Sequence, residues 1–342
     1  MKPVITSNIE NELRSFLQQK DYSGTAVLVD ENTQQACYPL IESSLSKATL
    51  LIIKSGEIHK NLDTCKVIWE GMTAKGMDRN SLLINLGGGV IGDMGGFCAA
   101  TFKRGIDFIN IPTTLLAQVD ASVGGKLGID FNGYKNHIGV FKTPEIVMLD
   151  DRFLETLPKK QLRSGYAEVI KHAIIASREH WHFLKNKSID QLDFSQIIKH
   201  SVAIKEQIVK EDPLENGKRK ILNFGHTVGH ALESHYLDSP NHLLHGEAVA
   251  AGMICEAFIA QRLNLLDTGQ LEEITEYIVS IFQKIQLQKA DYDKILTLMT
   301  QDKKNKGNKI LMALPEKIGS TVWDVEVSVS LIKSSLDYYY NC

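Results

Sequence analysis

Histidines are concentrated in one short stretch of this sequence. The run 223-NFGHTVGHALESHYLDSPNHLLHGEAVAAGM-253 contains five of the chain's 11 histidines: His226, His230, His235, His242 and His245. His226 and His230 are four residues apart, so both side chains leave the same face of a helix, and Glu233 continues that face at i+7. His235 lies about 180° around the helix from His226. We expect His235 to lie outside any site that the others form.

A metal with an open coordination position is the chemistry that this cluster favours, because several imidazoles occur here without cysteines. The H-x-x-x-H spacing also occurs in zinc proteases, but Thr227 occupies the place of their general-base glutamate, which excludes that class. Residues 238–241 are typical of a turn. Such a turn would fold His245, which opens an apolar helical segment, back towards the helix that carries His226.

A third metal ligand is predicted in the segment 164-SGYAEVIKHAII-175. Glu168 lies in an otherwise apolar helical pattern, where a charge is costly to bury unless it is paired or bound to a metal. We therefore interpret Glu168 as the carboxylate ligand. The alternative is a simple pair between Glu168 and Lys171 at i+3, or His172 at i+4.

A glycine-rich loop is the second candidate site. Gly87, Gly89 and Gly92 fit the pattern G-x-G-x-x-G directly after the apolar run SLLINL. Glycines allow a tight turn and let backbone N–H groups approach a pyrophosphate, although a purely structural turn is the alternative. The charge of Asp93 would repel a phosphate, so we interpret this residue as an acceptor for ribose or nicotinamide. Asp30, at the end of the strand-like TAVLVD, either holds ribose hydroxyls or simply terminates a strand.

Cations near these motifs could hold an anionic partner. Lys126 follows two glycines in 120-DASVGGKLGID, where it is suited to phosphate as a point charge. Arg219 precedes Asn223 and His226 by four and seven residues, so all three would share a helical face if the helix begins that early. Its guanidinium would suit bidentate recognition of a carboxylate.

The elements that must position these residues change character along the chain. The first part alternates polar helical stretches with β-rich runs, which are TAVLVD, ATLLIIKSG, KVIWEGMTAKG, SLLINLGGG, DFINIP and EIVMLD. This rhythm predicts an α/β N-terminal domain with a mostly parallel sheet over residues 1–158. Beyond it, apolar residues recur every three to four positions, which predicts an all-α C-terminal domain over residues 159–342.

Composition excludes several classes of partner. The chain has 342 residues, a net charge of −3 and a pI near 6.4, so there is no global electrostatic reason to bind nucleic acid or an anionic membrane. No segment reaches the roughly 20 apolar residues of a membrane span. Five widely spaced cysteines without a C-x-x-C pair indicate neither disulfides nor a cysteine zinc site. We expect a soluble cytoplasmic protein.

Taken in order, the motifs closely resemble those of the 3-dehydroquinate synthases of the shikimate pathway. The resemblance runs from about residue 25 to 315 and rests on GGGVIGD, PTTLLAQVDASVGGK, YKN, SGYAEVIKH, RKILNFGHTVGHALE and LLHGEAVAAGM. It implies a homodimer with an N-terminal NAD-binding domain and a C-terminal helical domain that binds metal and substrate. It also implies NAD and a divalent metal, Zn²⁺ or Co²⁺, as cofactors.

The resemblance further implies roles for individual residues. The implied metal ligands are Glu168, His226 and His245. The implied cofactor contacts are Asp30, Glu57, Lys60, Gly89, Val90, Gly92, Asp93, Thr113, Thr114, Lys126, Lys135, Phe153 and Thr156. The implied substrate contacts are Asp120, Lys126, Asn136, Lys171, Lys205, Arg219, Asn223 and Lys304, which we favour over Lys303. Proton transfer falls on Glu215 and His230, and Arg104 would reach the neighbouring subunit's site.

The implied reaction belongs to aromatic amino acid biosynthesis by way of chorismate. A carbon–oxygen lyase would convert 3-deoxy-D-arabino-heptulosonate 7-phosphate to 3-dehydroquinate and phosphate. The steps would be transient oxidation by NAD, β-elimination, reduction and intramolecular aldol closure. The carboxylate and phosphate of this substrate would account for the many cations in a weakly acidic protein.

Three alternatives remain on the residues alone. The first is a related sugar phosphate cyclase, against which Lys205, Arg219 and Asn223 count if they serve a substrate carboxylate. The second is a metal-dependent alcohol or polyol dehydrogenase, which would need few phosphate-binding lysines. The third is a non-catalytic NAD- or metal-binding module, which the intact set of histidines and Glu168 disfavours.

Overall fold

The computed structural model describes residues 3–45, 47–121, 124–132, 134–237, 239, 242–300 and 309–342. The chain divides into two compact units. The first contains Met1–Leu162 and Phe194–Val202, and the second contains Arg163–Asp193 and Ala203–Cys342. Among the described residues, no helix is both long and apolar enough to cross a membrane.

The first unit alternates strands and helices, as the sequence predicts. Its elements are β1 (Val4–Ile5), α1 (Ile9–Leu17), β2 (Thr25–Asp30), α2 (Glu31–Ala36), β3 (Ala48–Ile53), α3 (Leu62–Ala74), β4 (Leu82–Gly87), α4 (Gly89–Thr101), β5 (Asp107–Pro112), β6 (Lys126–Phe131), β7 (Tyr134–Phe141) and β8 (Met148–Leu149). Strands β3, β2, β4 and β5 form a parallel sheet in that order, β6 and β7 form an antiparallel pair, and β1 pairs with β8 in parallel.

The strand order reverses direction between β2 and β4, since β3 lies on one side of this pair and β5 on the other. In open α/β sheets, ligands bind beyond the carboxyl ends of the strands at such a point. Asp30 ends β2 and Gly87 ends β4. The topology therefore places both parts of the predicted dinucleotide site at one edge of the sheet.

The sheet is buried on both faces. Successive side chains of a strand point in opposite directions, so one strand contributes to two apolar clusters. Ala26 and Leu28 of β2 belong to one apolar cluster, which also contains residues of α3 and α4. Val27 and Val29 belong to the other cluster, which contains residues of α1. Strands buried on both faces read as continuous apolar runs, and this explains the sequence of β4.

One predicted strand-like run is wrong. KVIWEGMTAKG lies largely within helix α3, not in a strand. Asn61 caps this helix by accepting a hydrogen bond from the N–H of Thr64. The buried residues Cys65, Ile68 and Met72 recur at the helical period, and this outweighs the β propensity of the Val-Ile-Trp sequence.

The C-terminal part is rich in helices, which confirms that part of the predicted fold class. Its elements are α5 (Lys159–Ala176), α6 (Arg178–Lys185), α7 (Phe194–Glu211), α8 (His226–His235), α9 (His245–Arg262), α10 (Thr268–Ile281), α11 (Tyr292–Thr300), β9 (Ile310–Lys317), β10 (Ser320–Val327) and α12 (Val329–Asn341). Strands β9 and β10 form an antiparallel hairpin, which an all-α assignment leaves out. Alternating β-branched and aromatic residues in β10 favour a strand.

Candidate active site

Three side chains that the sequence places far apart meet in the second unit. Glu168 lies on α5, while His226 and His245 are the first residues of α8 and α9. The Oε1 atom of Glu168 lies 3.6 Å from Nε2 of His226 and 3.8 Å from Nε2 of His245. Ligands of a tetrahedral zinc ion, each about 2.1 Å from the metal, are roughly 3.4 Å apart. The spacing therefore fits a single divalent cation bound by these three residues.

The hydrogen bonds of the two imidazoles agree with this arrangement. Nδ1 of His226 lies 3.1 Å from the carbonyl oxygen of Phe224, and Nδ1 of His245 lies 3.3 Å from Oε2 of Glu233. A carbonyl oxygen only accepts, so Nδ1 of His226 must carry the proton. Its Nε2 then keeps a lone pair on the side of Glu168, as a metal ligand requires.

The electrostatic field at His245 favours positive charge. Burial by itself would lower the pKa of this imidazole, but the carboxylates of Glu168 and Glu233 outweigh burial and raise the pKa to about 9. A position that stabilises a bound proton so strongly also stabilises a bound cation. The donor set and the field thus both suit a divalent metal.

The alternative pairing of Glu168 is also present. Lys171 forms an ion pair with Oε2 of Glu168, and both side chains are almost completely buried. The carboxylate therefore has one oxygen directed towards the lysine and the other towards the two histidines. His172, the other alternative partner, is also buried and offers a ring nitrogen within 4.8 Å of a carboxylate oxygen of Glu168.

Two backbone features hold His226 at the start of α8. Gly225 adopts a left-handed conformation with φ of 78°, which lets the chain turn sharply into the helix. The buried carboxylate of Glu256, on α9, accepts hydrogen bonds from the N–H groups of Gly225 at 2.6 Å and Val228 at 3.1 Å. Glu256 was not among the residues predicted from the sequence, although a carboxylate in the apolar run GMICEAFIA indicates a buried partner.

A tight loop carries the residues predicted to transfer protons and bind substrate. The carboxylate of Asp212 accepts hydrogen bonds from the N–H groups of Asn216, Gly217 and Arg219, at 3.0, 2.7 and 3.0 Å. Burial would raise the pKa of Asp212, but these donors and the Arg219 charge outweigh it and lower the pKa. Asp212 therefore organises the loop as an anion.

The loop brings Glu215 to Asn223, whose Nδ2 donates to Oε1 of Glu215 at 2.8 Å. The guanidinium of Arg219 donates to the carbonyl oxygen of Pro213 at 2.6 Å. The condition for a shared helical face, a helix that begins as early as Arg219, is not met, because α8 begins at His226. Residues 218–223 form a 3₁₀ helix that ends before Gly225, so Arg219 and Asn223 do not share a helical face with His226.

In the first unit, a cleft lies at the carboxyl ends of β4 and β5. Its empty volume is about 380 Å³, and its lining includes Gly87, Gly88, Gly89, Asp93 and Lys126. Gly88 caps α4 without a side-chain hydrogen bond, and Gly88 and Gly89 line the cleft, so the N-terminus of this helix borders space that an anion could occupy. A Cβ on Gly88 would lie 3.1 Å from Cγ2 of Thr114, so a side chain would tighten this turn. The cleft fits the pyrophosphate of a dinucleotide.

A buried lysine resolves the repulsion expected from Asp93. Lys60 is 4% exposed, and its Nζ donates to Oδ2 of Asp93 at 2.7 Å and to Oδ1 of Asn136 at 2.6 Å. Burial would lower the pKa of Lys60, but the carboxylates of Asp93 and Glu57 outweigh burial and raise it. The lysine stays charged and neutralises Asp93 beside the glycine turn. Lys135 lies 3.7 Å from Glu57 in the same region.

Comparison with known proteins decides the family. The protein-family model described as 3-dehydroquinate synthase N-terminal matches residues 50–164. The family model described as 3-dehydroquinate synthase C-terminal matches residues 165–305. The chain belongs to the 3-dehydroquinate synthase family. A 3-dehydroquinate synthase of Parabacteroides distasonis is 44% identical over an alignment 343 residues long, which covers 99% of this chain and 97% of the relative.

Solved structures of sugar phosphate cyclases have a similar fold. A 2-deoxy-scyllo-inosose synthase complexed with carbaglucose-6-phosphate, NAD⁺ and Co²⁺ is 26% identical with a TM-score of 0.87, and the match covers 97% of this chain and 95% of that one. A 2-epi-5-epi-valiolone synthase of Streptomyces hygroscopicus subsp. jinggangensis, with NAD⁺ and Zn²⁺ bound, has a TM-score of 0.89 at 23% identity, covering 99% and 96%. The second likeness concerns the fold alone.

Among the other residues that the 3-dehydroquinate synthase resemblance assigns in the helical unit, His230 lies close to His226 and His245, and Lys205 is buried. The ring of His230 lies 5.1 Å from that of His226 and 6.0 Å from that of His245, measured between centroids. Lys205 is 5% exposed on α7.

His235 contacts Asp291 at 3.5 Å, away from this cluster, as predicted. The predicted turn at Asp238, Pro240 and Asn241 and the lysines Lys303 and Lys304 lie outside the described residues.

The 3-dehydroquinate synthase residues of the first unit differ in their surroundings. Asp30 ends β2 and caps α2 by accepting hydrogen bonds from the N–H groups of Asn32 and Thr33. This agrees with its interpretation as a residue that terminates a strand. Phe153 is buried in the core, which leaves its backbone as the part that could face a cofactor. The remaining positions are the buried Thr113, the partly buried Val90, Gly92, Thr114 and Asp120, and the exposed Arg104, Lys126 and Thr156.

Proposed function

We propose that the protein catalyses the 3-dehydroquinate synthase reaction, which converts 3-deoxy-D-arabino-heptulosonate 7-phosphate to 3-dehydroquinate and phosphate. The cofactors are NAD and one divalent metal ion, Zn²⁺ or Co²⁺. The observation that carries this proposal is the convergence of Glu168, His226 and His245 in a chain of this family. Membership alone indicates the reaction, and the intact cluster indicates that its metal chemistry is retained.

The metal ligands are Glu168, His226 and His245. The bound metal would act as a Lewis acid towards the substrate. Around it, the chain supplies oriented nitrogen donors, because Phe224 and Glu233 hold the Nδ1 atoms of the two imidazoles. Lys171 holds the second oxygen of Glu168, so the carboxylate keeps Oε1 directed at the histidines.

NAD binds at the carboxyl edge of the parallel sheet. The glycine turn before α4 would hold its pyrophosphate, because backbone N–H groups and the helix dipole there favour negative charge. The ammonium of Lys60 compensates the charge of Asp93, which would otherwise oppose the pyrophosphate. The first unit thereby orients the cofactor mainly with backbone groups.

Buried cations of the helical unit bind the anionic groups of the substrate. Lys171, Lys205 and Arg219 are all 5% exposed or less, and buried positive charges are stable where anions accompany them. Arg219 is suited to the carboxylate because of its planar guanidinium. Glu215 and His230 serve proton transfer, with Glu215 held by Asn223. Most of the catalytic effect then comes from positioning and electrostatics.

A related sugar phosphate cyclase is the second candidate, because such enzymes share the fold. The identity of 44% to a 3-dehydroquinate synthase against 26% to a 2-deoxy-scyllo-inosose synthase favours the first candidate. A substrate without a carboxylate would also leave Arg219 without its proposed partner. The two candidates differ in the substrate, so turnover of the heptulosonate distinguishes them.

The decisive experiment measures phosphate and NADH together. The metal-loaded protein is incubated with 3-deoxy-D-arabino-heptulosonate 7-phosphate and substoichiometric NAD, and the product is identified by mass spectrometry. Many phosphates released for each NAD, no lasting NADH absorbance and the mass of dehydroquinate are expected. Lasting NADH without phosphate would indicate a dehydrogenase, and absence of turnover would favour a cyclase for another sugar phosphate.

The protein also acts as a homodimer in this proposal, with Arg104 reaching the neighbouring subunit's site. The backbone conformation of the turn that contains Arg104 supports a functional role for this residue. Lys103, Arg104 and Gly105 are consecutive residues with positive φ, and Arg104 is exposed. Such backbone is costly for residues other than glycine and is found where function requires it. A molar mass of one chain by light scattering would contradict the dimer.

A further inference from the structure

We propose that Glu233 is a positioning residue of the metal site, whose carboxylate holds His245 in the orientation and tautomer that metal binding requires. This inference rests on the proposed function, because it takes His245 as a metal ligand. Glu233 touches His245 and acts through it, so its role differs from that of the three ligands.

The position of Glu233 suits this role. Glu233 lies on α8, seven residues after His226, and its side chain is 7% exposed. Its Oε2 atom is 3.3 Å from Nδ1 of His245, while Nε2 of the same ring lies 3.8 Å from Glu168. The two nitrogens of His245 therefore face two different carboxylates, one on each side of the ring.

The chemistry of imidazole assigns different tasks to these carboxylates. A neutral imidazole has one N–H donor and one lone pair, so only one nitrogen can bind a metal while the other donates. His230, Glu233 and His245 also offer ligand atoms within 4.8 Å of one another, so a cation on that side is a competing arrangement. The Nε2 side of His245 also contains Nε2 of His226. The Nδ1 atom of His226 is hydrogen-bonded to the carbonyl oxygen of Phe224 and is not available to a metal. The ligand side is therefore that of Glu168, and Glu233 is the acceptor behind it.

The two histidines are supported in different ways. His226 donates to a neutral backbone carbonyl, whereas His245 donates to a carboxylate. A negatively charged acceptor makes the opposite nitrogen a stronger base and thus a stronger ligand. Loss of such a partner weakens metal affinity by about 10- to 100-fold. The side chain of Glu233 consequently sets how tightly His245 binds the metal.

The test measures metal affinity directly. Glu233→Ala and Glu233→Gln are titrated with Zn²⁺ against a chelator, and Co²⁺-loaded samples are compared by visible absorption. We expect Glu233→Ala to bind Zn²⁺ about 10- to 100-fold more weakly. The Zn²⁺ affinity of Glu233→Gln should lie between that of this variant and that of the wild type, because its amide oxygen still accepts a hydrogen bond from the Nδ1–H of His245 but carries no charge.

The chain offers a matched control. Asp291 lies 3.5 Å from Nε2 of His235, so Asp291→Asn changes a carboxylate beside a histidine that belongs to no part of the proposed site. Its affinity for Zn²⁺ should equal that of the wild type. If Glu233→Ala does not fold, the affinity of Glu233→Gln decides the question.

The outcomes separate this inference from the proposed function. Unchanged Zn²⁺ affinity in the folded Glu233 variants would overturn the inference. A loss of Zn²⁺ binding as complete as in His245→Ala would also overturn it, because Glu233 would then be a ligand. Wild-type affinity in His226→Ala would instead contradict the metal site on which the proposed function depends.

Discussion

Substitution of Gly246 by alanine tests how closely two helices must approach to form the metal site. Gly246 follows His245 on α9 and donates its N–H to Oγ of Ser164 at 3.0 Å. Ser164 lies on α5, four residues before Glu168. A Cβ on Gly246 would overlap the carbonyl oxygen of Ser164, which is the nearest atom, and would lie 2.5 Å from its carbonyl carbon and 2.7 Å from its Cα. The obstacle is backbone, so no rotation of a side chain can relieve it.

The displacement can be estimated from van der Waals contact. Carbon atoms pack at about 3.5 Å or more, so α9 would have to move away from α5 by at least about 1 Å. The separation between Nε2 of His245 and Oε1 of Glu168 is now 3.8 Å. An equal shift would open it to about 4.8 Å, whereas one ion with bonds of about 2.1 Å spans at most about 4.2 Å. We expect Gly246→Ala to lose most of its metal affinity.

The same variant should lose stability by overpacking. Such substitutions typically cost about 1–3 kcal/mol, and each kcal/mol lowers the Tm of a unit of this size by about 2–4 °C. The assays are metal content after dialysis and the Tm by calorimetry. Gly269→Ala is the control, because its Cβ would meet only a side-chain oxygen of Asp267 at 3.3 Å. Full metal content and an unchanged Tm in Gly246→Ala would refute the reasoning.

Three further substitutions test other parts of the two units. Lys60→Met removes the charge that neutralises Asp93, so we expect NAD affinity to fall about tenfold, or about 1.4 kcal/mol, by calorimetric titration; unchanged affinity would contradict the role given to this ion pair. Asp212→Ala removes the acceptor of three backbone N–H groups, and we expect kcat/KM to fall about 100-fold through misplacement of Glu215, with metal content unchanged. Glu211→Ala, at an exposed neighbour, should leave kcat/KM near the wild-type value, and an equal loss in both variants would argue against positioning. Glu256→Gln keeps one acceptor oxygen but replaces the other with an NH₂ group, which would face a backbone N–H at the start of α8. We therefore expect the free energy of unfolding to fall by about 2 kcal/mol in denaturant titration. An unchanged value would show that α8 does not depend on this carboxylate.

Local patterns in the sequence determine much of the architecture. The i to i+4 spacing of His226 and His230, the glycine pattern after an apolar strand and the change from strand to helix periodicity each depend on a few neighbouring residues. Such features are set by the period of the backbone. For this reason the α/β region, the helices α8 and α9 and the position of the glycine turn agree with expectation.

Local patterns were insufficient where several conformations suit one sequence. The run KVIWEGMTAKG has β-branched and aromatic residues yet forms α3, because its apolar residues pack at the helical period. Arg219 precedes His226 at a helical spacing, but the left-handed Gly225 separates the two. Packing and single backbone conformations decided these cases.

The sequence by itself determined which residue types are available for chemistry and which short elements carry them. Only the tertiary structure decided that Glu168 reaches both His226 and His245, which the residues alone left open, and it alone revealed Glu233 behind His245, Glu256 under α8, and Lys60 with Asp93. These pairs are separated by 12 to 77 positions in the chain, and contacts across such separations depend on the packing of whole elements. A charged residue in an apolar run of the sequence indicates a buried charge, which requires a partner. The packing of helices and strands determines which residue that partner is.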